Sequence, residues 1–293
     1  MPNSNSIIIG PGAIGALACA HSQSNANCLV LAHRKNQKLS KTLQTNSGTI
    51  ALNWHLTEPT EEVALIWVCS KASAAYLATK PLLEQYPSAY AIMLHNGMGP
   101  QQTLSEEFPG RVIWGATTCG AMRKDTNTII HTAAGRTLLG LPQGAQIPVA
   151  VQQLISPASN SARDVLGIEF SDTIEQTLWH KVLINAAINP LTAVHQIANG
   201  ELLQQQYLTD ISNICRETCA IMQQAGITPP PEPVEFILQV ARATAKNRSS
   251  MAEDIRLNRA TEIDYINGFL IAQARLHGLD ALYLQKWYDA VAE

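Results

Sequence analysis

The segment Ile7-Ile-Ile-Gly10-Pro-Gly12-Ala-Ile-Gly15 constrains this chain more than any other. An apolar run ends on three glycines at GxGxxG spacing, and a helix-forming stretch over residues 13–20 follows at once. In that context Gly10 permits a tight strand-to-helix turn, Gly12 lets the backbone approach a pyrophosphate, and Gly15 lets the helix lie close to the sheet. With Pro11, Ala13 and Ile14 they form a candidate dinucleotide site at a helix N-terminus, whose unpaired N–H groups face the anion. A tight turn without a ligand is the competing reading.

Further apolar runs at residues 28–32, 63–69, 90–94 and 112–116 have the length and composition of strands buried on both faces. A helix pattern at 72–84 lies between two of them, and the repeated βα order predicts a doubly wound parallel sheet. Runs at 128–132 and 136–139, separated by Ala-Ala-Gly, predict a hairpin appended to that sheet, and 146–158 with 167–171 complete the first domain. From about residue 173 strand signals stop. Helical patterns at 174–188, 210–224, 234–245 and 261–276 take over, interrupted by the breaker Thr228-Pro-Pro-Pro-Glu-Pro233. At 293 residues two domains are expected. The fold class is α/β, with a Rossmann-type N-terminal domain over 1–172 and an all-helical C-terminal domain over 173–293.

Composition narrows the partners. A net charge of −3 with only 15% charged residues argues against nucleic acid or an anionic membrane surface, and no apolar run is long enough to span a bilayer. Six cysteines lie scattered without CxxC pairs, as in reduced core thiols, and no secretory leader is visible, so the cytoplasm is the expected location. No HExxH or clustered His/Asp set calls for a metal. A small molecule is the expected ligand. The second apolar run ends Leu29-Val-Leu-Ala-His-Arg34-Lys35, where an NAD site usually carries an acid for the ribose 2′-hydroxyl. Arg34 and Lys35 stand there instead, which suits the 2′-phosphate of NADP.

Four further segments, Leu94-His-Asn96-Gly-Met-Gly99, Trp179-His-Lys181-Val-Leu-Ile-Asn185-Ala-Ala-Ile-Asn189-Pro-Leu-Thr-Ala193, Asn199-Gly-Glu201 and Ser249-Ser250 followed by Thr261-Glu262-Ile-Asp264-Tyr-Ile-Asn-Gly268, occur in that order. With the glycine-rich turn, this ordered set resembles the ketopantoate reductases (2-dehydropantoate 2-reductases), with matching segments from residue 7 to about residue 277. The resemblance implies NADPH-dependent reduction of 2-dehydropantoate, a 2-keto acid, to (R)-pantoate on the route to pantothenate and coenzyme A. It implies that Lys181 is the proton donor. Asn185, Asn189 and Asn199 match substrate contacts, Ser250 matches a residue that holds the substrate, and Asn96 matches one near both substrate and cofactor. Lys71 and Ala121 match cofactor contacts, and Glu262 matches a carboxylate at the cofactor and active site. The sequence stops at Glu293 without the extra tail some members carry, and it leaves monomer and homodimer both open.

The chemistry is consistent with those roles. Reduction of a ketone leaves negative charge on oxygen, and a partly desolvated lysine has its pKa lowered toward working pH. Lys181 and Asn185 share a helix face, with Asn189 about 80° round from Lys181. Asn189 precedes Pro190, so the helix is expected to end or kink there. Ser250-x-x-Glu253 reads as a capping box. An unbroken helix through Glu262 would place Ser250 and Glu262 about 18 Å apart, so a break near 258–260 is expected, with Thr261-x-x-Asp264 capping the next helix. Two alternatives stay open: an NADP-dependent dehydrogenase of the hydroxyisobutyrate or 6-phosphogluconate type acting on another acid, and a non-catalytic NADP-binding sensor.

Overall fold

The computed structural model describes residues 5–23, 27–31, 41–52, 62–156 and 164–293. They divide into two compact units, residues 1–95 with 100–175, and residues 96–99 with 176–293.

The first unit opens with β1 (Asn5–Ile9), α1 (Ala13–Ser22) and β2 (Asn27–Leu31), then β3 (Lys41–Thr45) and β4 (Gly48–Leu52). It continues through β5 (Val63–Val68), α2 (Ala72–Gln85), β6 (Tyr90–Met93), α3 (Pro100–Glu107) and β7 (Val112–Thr117). The remaining elements are β8 (Gly120–Arg123), β9 (Thr128–Ala133), β10 (Thr137–Gly140), α4 (Val149–Ile155) and β11 (Ile168–Phe170). A seven-stranded sheet has the order β11-β10-β7-β6-β5-β1-β2, and its five strands from β2 to β7 are parallel. Ile7, Ile8, Ile66, Trp67, Ile92 and Ile113 are fully buried, which is why these strands read as continuous apolar runs rather than alternating ones. The chain passes from β1 to β2 on one side and returns with β5 on the other. The C-terminal end of β1 is therefore a topological switch point, where open α/β sheets bind ligands.

A second sheet, in the order β4-β3-β9-β8, packs against α1. It corrects the expected 128–139 hairpin. β9 pairs with β8 and β3, whereas β10 returns to the first sheet beside β7, so the Ala-Ala-Gly link joins two sheets. Close packing at that link accounts for Gly135, where a methyl group would lie 2.6 Å from the Cys119 nitrogen. The hairpin present joins β8 to β9, and Asp125 Oδ1 accepts from the Asn127 and Thr128 nitrogens in its turn.

The second unit is helical: α5 (Ile174–His195), α6 (Gln205–Gln224), α7 (Pro233–Ala243), α8 (Ser250–Arg256), α9 (Ile263–Leu276) and α10 (Leu282–Ala292). Of the end or kink expected for α5 at Asn189, the end is overturned, because the helix runs through Pro190 to His195. Residues 186–193 are all buried, so packing sustains the helix where local preference would stop it. The expected break between α8 and α9 is present. Asn258, at φ 50°, gives its N–H to Ile255 O at 2.9 Å while Arg259 N donates to Asp254 O at 2.7 Å, the paired bonds of a left-handed helix stop.

At its own start α10 has no side-chain cap. Glu217 of α6 supplies one, its buried carboxylate accepting from Tyr283 N at 3.0 Å and Leu284 N at 2.9 Å. Removing it strands two amides at a helix N-terminus, so Glu217→Ala is expected to cost about 2 kcal/mol. The urea midpoint by far-UV circular dichroism measures this. An unchanged midpoint would show that water replaces the carboxylate without loss.

Candidate active site

In the first unit the glycine-rich turn has the stereochemistry its spacing requires. Gly10 adopts φ +85°, and a methyl group there would lie 2.4 Å from the Ser70 nitrogen. One on Gly15 would lie 2.2 Å from Gly10 O. Gly12 differs: a methyl group on it would meet no heavy atom of the described residues within 4 Å. The turn is thus packed on the sheet side and open at Gly12, and α1 begins at Ala13 with Ile14 in its first turn. These features fit a dinucleotide's pyrophosphate, with Gly10, Pro11, Gly12, Ala13, Ile14 and Gly15 as its seat. Lys71 follows Ser70, which the turn touches, and begins α2 as its N-cap. Ala121, on β8, packs against the first unit's core. Arg34 and Lys35 lie outside the described residues.

In the second unit Lys181, Asn185 and Asn189 lie along α5, the first two half-buried and Asn189 buried. Burial pushes the Lys181 ammonium below its ordinary pKa, and the Glu262 carboxylate partly offsets this. Glu262 is itself buried, at the start of α9, and its Oε2 accepts from Asn96 Nδ2 at 3.0 Å. Asn96 is held by the short segment after it. Met98 N donates to Tyr265 O at 2.8 Å, and Gly97, at φ +81°, approaches that carbonyl so closely that a methyl group would lie 2.3 Å from it. Asn96, Lys181 and Glu262 therefore form one electrostatic group.

The remaining residues named from sequence are less closely joined. Asn199 is buried against the end of α7, its Nδ2 donating to Thr244 Oγ1 at 2.9 Å and its backbone N–H to Asn247 O at 2.9 Å. Ser250 is exposed in the first turn of α8 and does not cap it, which corrects the capping-box reading. Ser249 is the cap: its Oγ accepts from Ala252 N at 3.1 Å and from Thr192 Oγ1 at 2.7 Å. That second bond ties α8 to α5 three residues beyond Asn189, and it selects Ser249 over its neighbour. Nor does Thr261-x-x-Asp264 cap α9 as expected: the N-cap is Glu262, without a side-chain cap bond, Asp264 accepts from Tyr288 Oη at 2.7 Å, and Thr261 Oγ1 takes the Ile263 N–H at 3.4 Å. Thr192, Ser249 and Tyr265 were not singled out from sequence, since a buried hydroxyl and a backbone carbonyl leave no pattern there.

Among the described residues no three His, Cys, Asp or Glu side chains gather as a metal set, and no helix is long and apolar enough to cross a membrane. A Rossmann-type sheet with a glycine-rich turn at its switch point, in a chain whose helical unit carries Lys181 next to Glu262, fits one class: the nicotinamide-dependent oxidoreductases with a helical second unit. Within that class, residues 6–144 match the family model described as ketopantoate reductase PanE/ApbA, and residues 173–293 match its C-terminal counterpart. The chain belongs to the ketopantoate reductase family.

A 2-dehydropantoate 2-reductase of Vibrio cholerae is 33% identical over 96% of each chain. The crystal structure of a probable 2-dehydropantoate 2-reductase from Bacillus subtilis, 27% identical, superposes with a TM-score of 0.83 over 98% of this chain and 99% of that one. A D-mandelate dehydrogenase solved with NADH and anilino(oxo)acetate, 21% identical, has a TM-score of 0.85 over 98% and 97% of the two chains and shares the fold.

Proposed function

We propose that this chain is a cytoplasmic 2-dehydropantoate 2-reductase that uses NADPH to reduce the 2-keto group of ketopantoate to the hydroxyl of (R)-pantoate. The arrangement of Lys181, Glu262 and Asn96 carries the reading, together with the name borne by relatives such as the Vibrio cholerae protein. Reduced nicotinamide, when bound, supplies the hydride. Gly10 to Gly15, Lys71 and Ala121 hold the cofactor, with Asn96 and Glu262 near it. Asn185, Asn189, Asn199 and Ser250 orient the keto acid, and Asn96 also contacts it. Lys181 gives its proton to the carbonyl oxygen as charge develops there, so that no free alkoxide forms. Glu262 keeps the ammonium charged and Asn96 keeps Glu262 in place. The test is NADPH oxidation with ketopantoate against a panel of other 2-keto, 3-hydroxy and sugar acids. Turnover highest with another acid would sink the substrate assignment, and oxidation with none would favour a cofactor-binding sensor.

Preference for NADPH rests on Arg34 after the second strand and on the absence of an acid there. Arg34→Ala is expected to lower kcat/KM for NADPH by about ten-fold or more, the loss of a charge-assisted pair to phosphate, and to leave NADH almost unaffected. An unchanged ratio of the two kcat/KM values would remove Arg34 from the 2′-phosphate.

A further inference from the structure

Lysine is seldom buried unless its ammonium is engaged. Lys41, the first residue of β3, is 5% exposed, and its Nζ donates to the carbonyl oxygen of Pro11 at 2.7 Å. Pro11 lies between the two leading glycines of the phosphate-binding turn, so a strand of the second sheet reaches across to hold the turn at its middle. The Pro11–Gly12 peptide is planar, and fixing its oxygen also fixes the direction of its N–H. That N–H closes the turn by donating to Gly10 O at 2.8 Å. A Gly-Pro-Gly turn has wide conformational freedom at both glycines, and this one tether removes much of it. The residue also brings charge. Burial lowers the pKa of the ammonium, and the positive charge of Arg123 on β8 of the same sheet acts in the same direction. An anion seated on the turn would relieve that repulsion between two cations.

We propose that Lys41 is a positioning residue for the cofactor: by holding the Pro11 carbonyl it presets the turn that receives the dinucleotide's pyrophosphate, and its charge adds to the attraction there. The inference rests on the reading of the chain as a nicotinamide-dependent reductase and extends it to a residue outside the GxGxxG segment. Its direct readout is the NADPH dissociation constant of the full chain, followed by quenching of intrinsic fluorescence, for the wild type, Lys41→Met, Lys41→Gln and Lys41→Arg. Lys41→Met keeps the aliphatic stem and loses donor and charge. It is expected to raise the dissociation constant and the KM for NADPH by about ten-fold or more, with kcat at saturating NADPH and KM for the keto acid nearly unchanged. Lys41→Gln, a donor without charge, falls between, and Lys41→Arg recovers most of the affinity. If Lys41→Met does not fold, the Gln and Arg variants decide by the same ordering. Unaltered NADPH affinity in the variants, or a fall in kcat and thermal stability with no selective change in NADPH binding, overturns the inference. A wild type that binds NADPH but reduces no keto acid would overturn the proposed function and leave this comparison decisive, whereas a wild type that binds no dinucleotide overturns both.

Discussion

Lys181→Ala is expected to lower kcat with ketopantoate by roughly 10² to 10⁴, the range associated with loss of a positioned general acid, while NADPH affinity barely changes. The asymmetry follows from the role: a proton donated to a developing alkoxide is worth little in the ground state and much in the transition state. The pH profile gives a second handle. Lys181 must be protonated to act, so activity falls as pH rises through its pKa, which burial has already lowered and Glu262 partly restores. Glu262→Gln keeps an oxygen for Asn96 but removes the charge, so the alkaline limb should move to lower pH. A limb that stayed in place would mean that another group sets it. Near-normal kcat in Lys181→Ala would mean that the proton comes from elsewhere.

Gly97→Ala is expected to produce the next largest loss. A methyl group at this residue would lie 2.3 Å from the Tyr265 carbonyl oxygen, and the residue sits at φ +81°, where a side chain is disfavoured. No rotamer change can relieve a clash with backbone, so the segment must withdraw from α9 and carry Asn96 off Glu262. Misplacement on the scale of an ångström costs about 10²-fold, and kcat/KM should fall by at least that much. The clash involves Tyr265 and none of the residues of the glycine-rich turn, so kcat/KM for the keto acid should fall much further than NADPH affinity. If kcat/KM survived with the Asn96 contact broken, Glu262 would not need its donor.

Legibility in the sequence followed the range of the interactions involved. The β1–α1 turn and the buried parallel strands were readable because chain neighbours determine them: glycines at a switch point, and apolar runs with polar breaks. So was the interruption between α8 and α9, where Asn258 accepts a left-handed conformation. The link between β9 and β10 was misread because alternation and a small-residue turn look alike whether two strands pair with each other or leave for different sheets. Ser249 and Ser250 stand side by side, and only the hydroxyl of Thr192, 57 residues away in sequence, selects the first as the cap. Pro190 is a local stop signal that burial of its surroundings overrides. The short strands β3 and β4 offered too few residues to be distinguished from loop, and with β3 went Lys41. Within the candidate site, residue types and spacing pointed to Lys181 and Glu262, but the positions of their supports depended on tertiary contacts.

The small segment Asn96–Gly99 bears on how this chain can be taken apart. It lies in sequence inside the first unit and in space inside the second, so the polypeptide enters the helical unit twice. A gene cut after residue 175 would yield a helical fragment missing the strip that grips Tyr265 and an N-terminal fragment still carrying it. Neither piece would be a whole module. The helical half therefore cannot be grafted intact onto another nucleotide-binding half at one junction; a chimaera would have to bring its own version of those four residues, matched to the new α9.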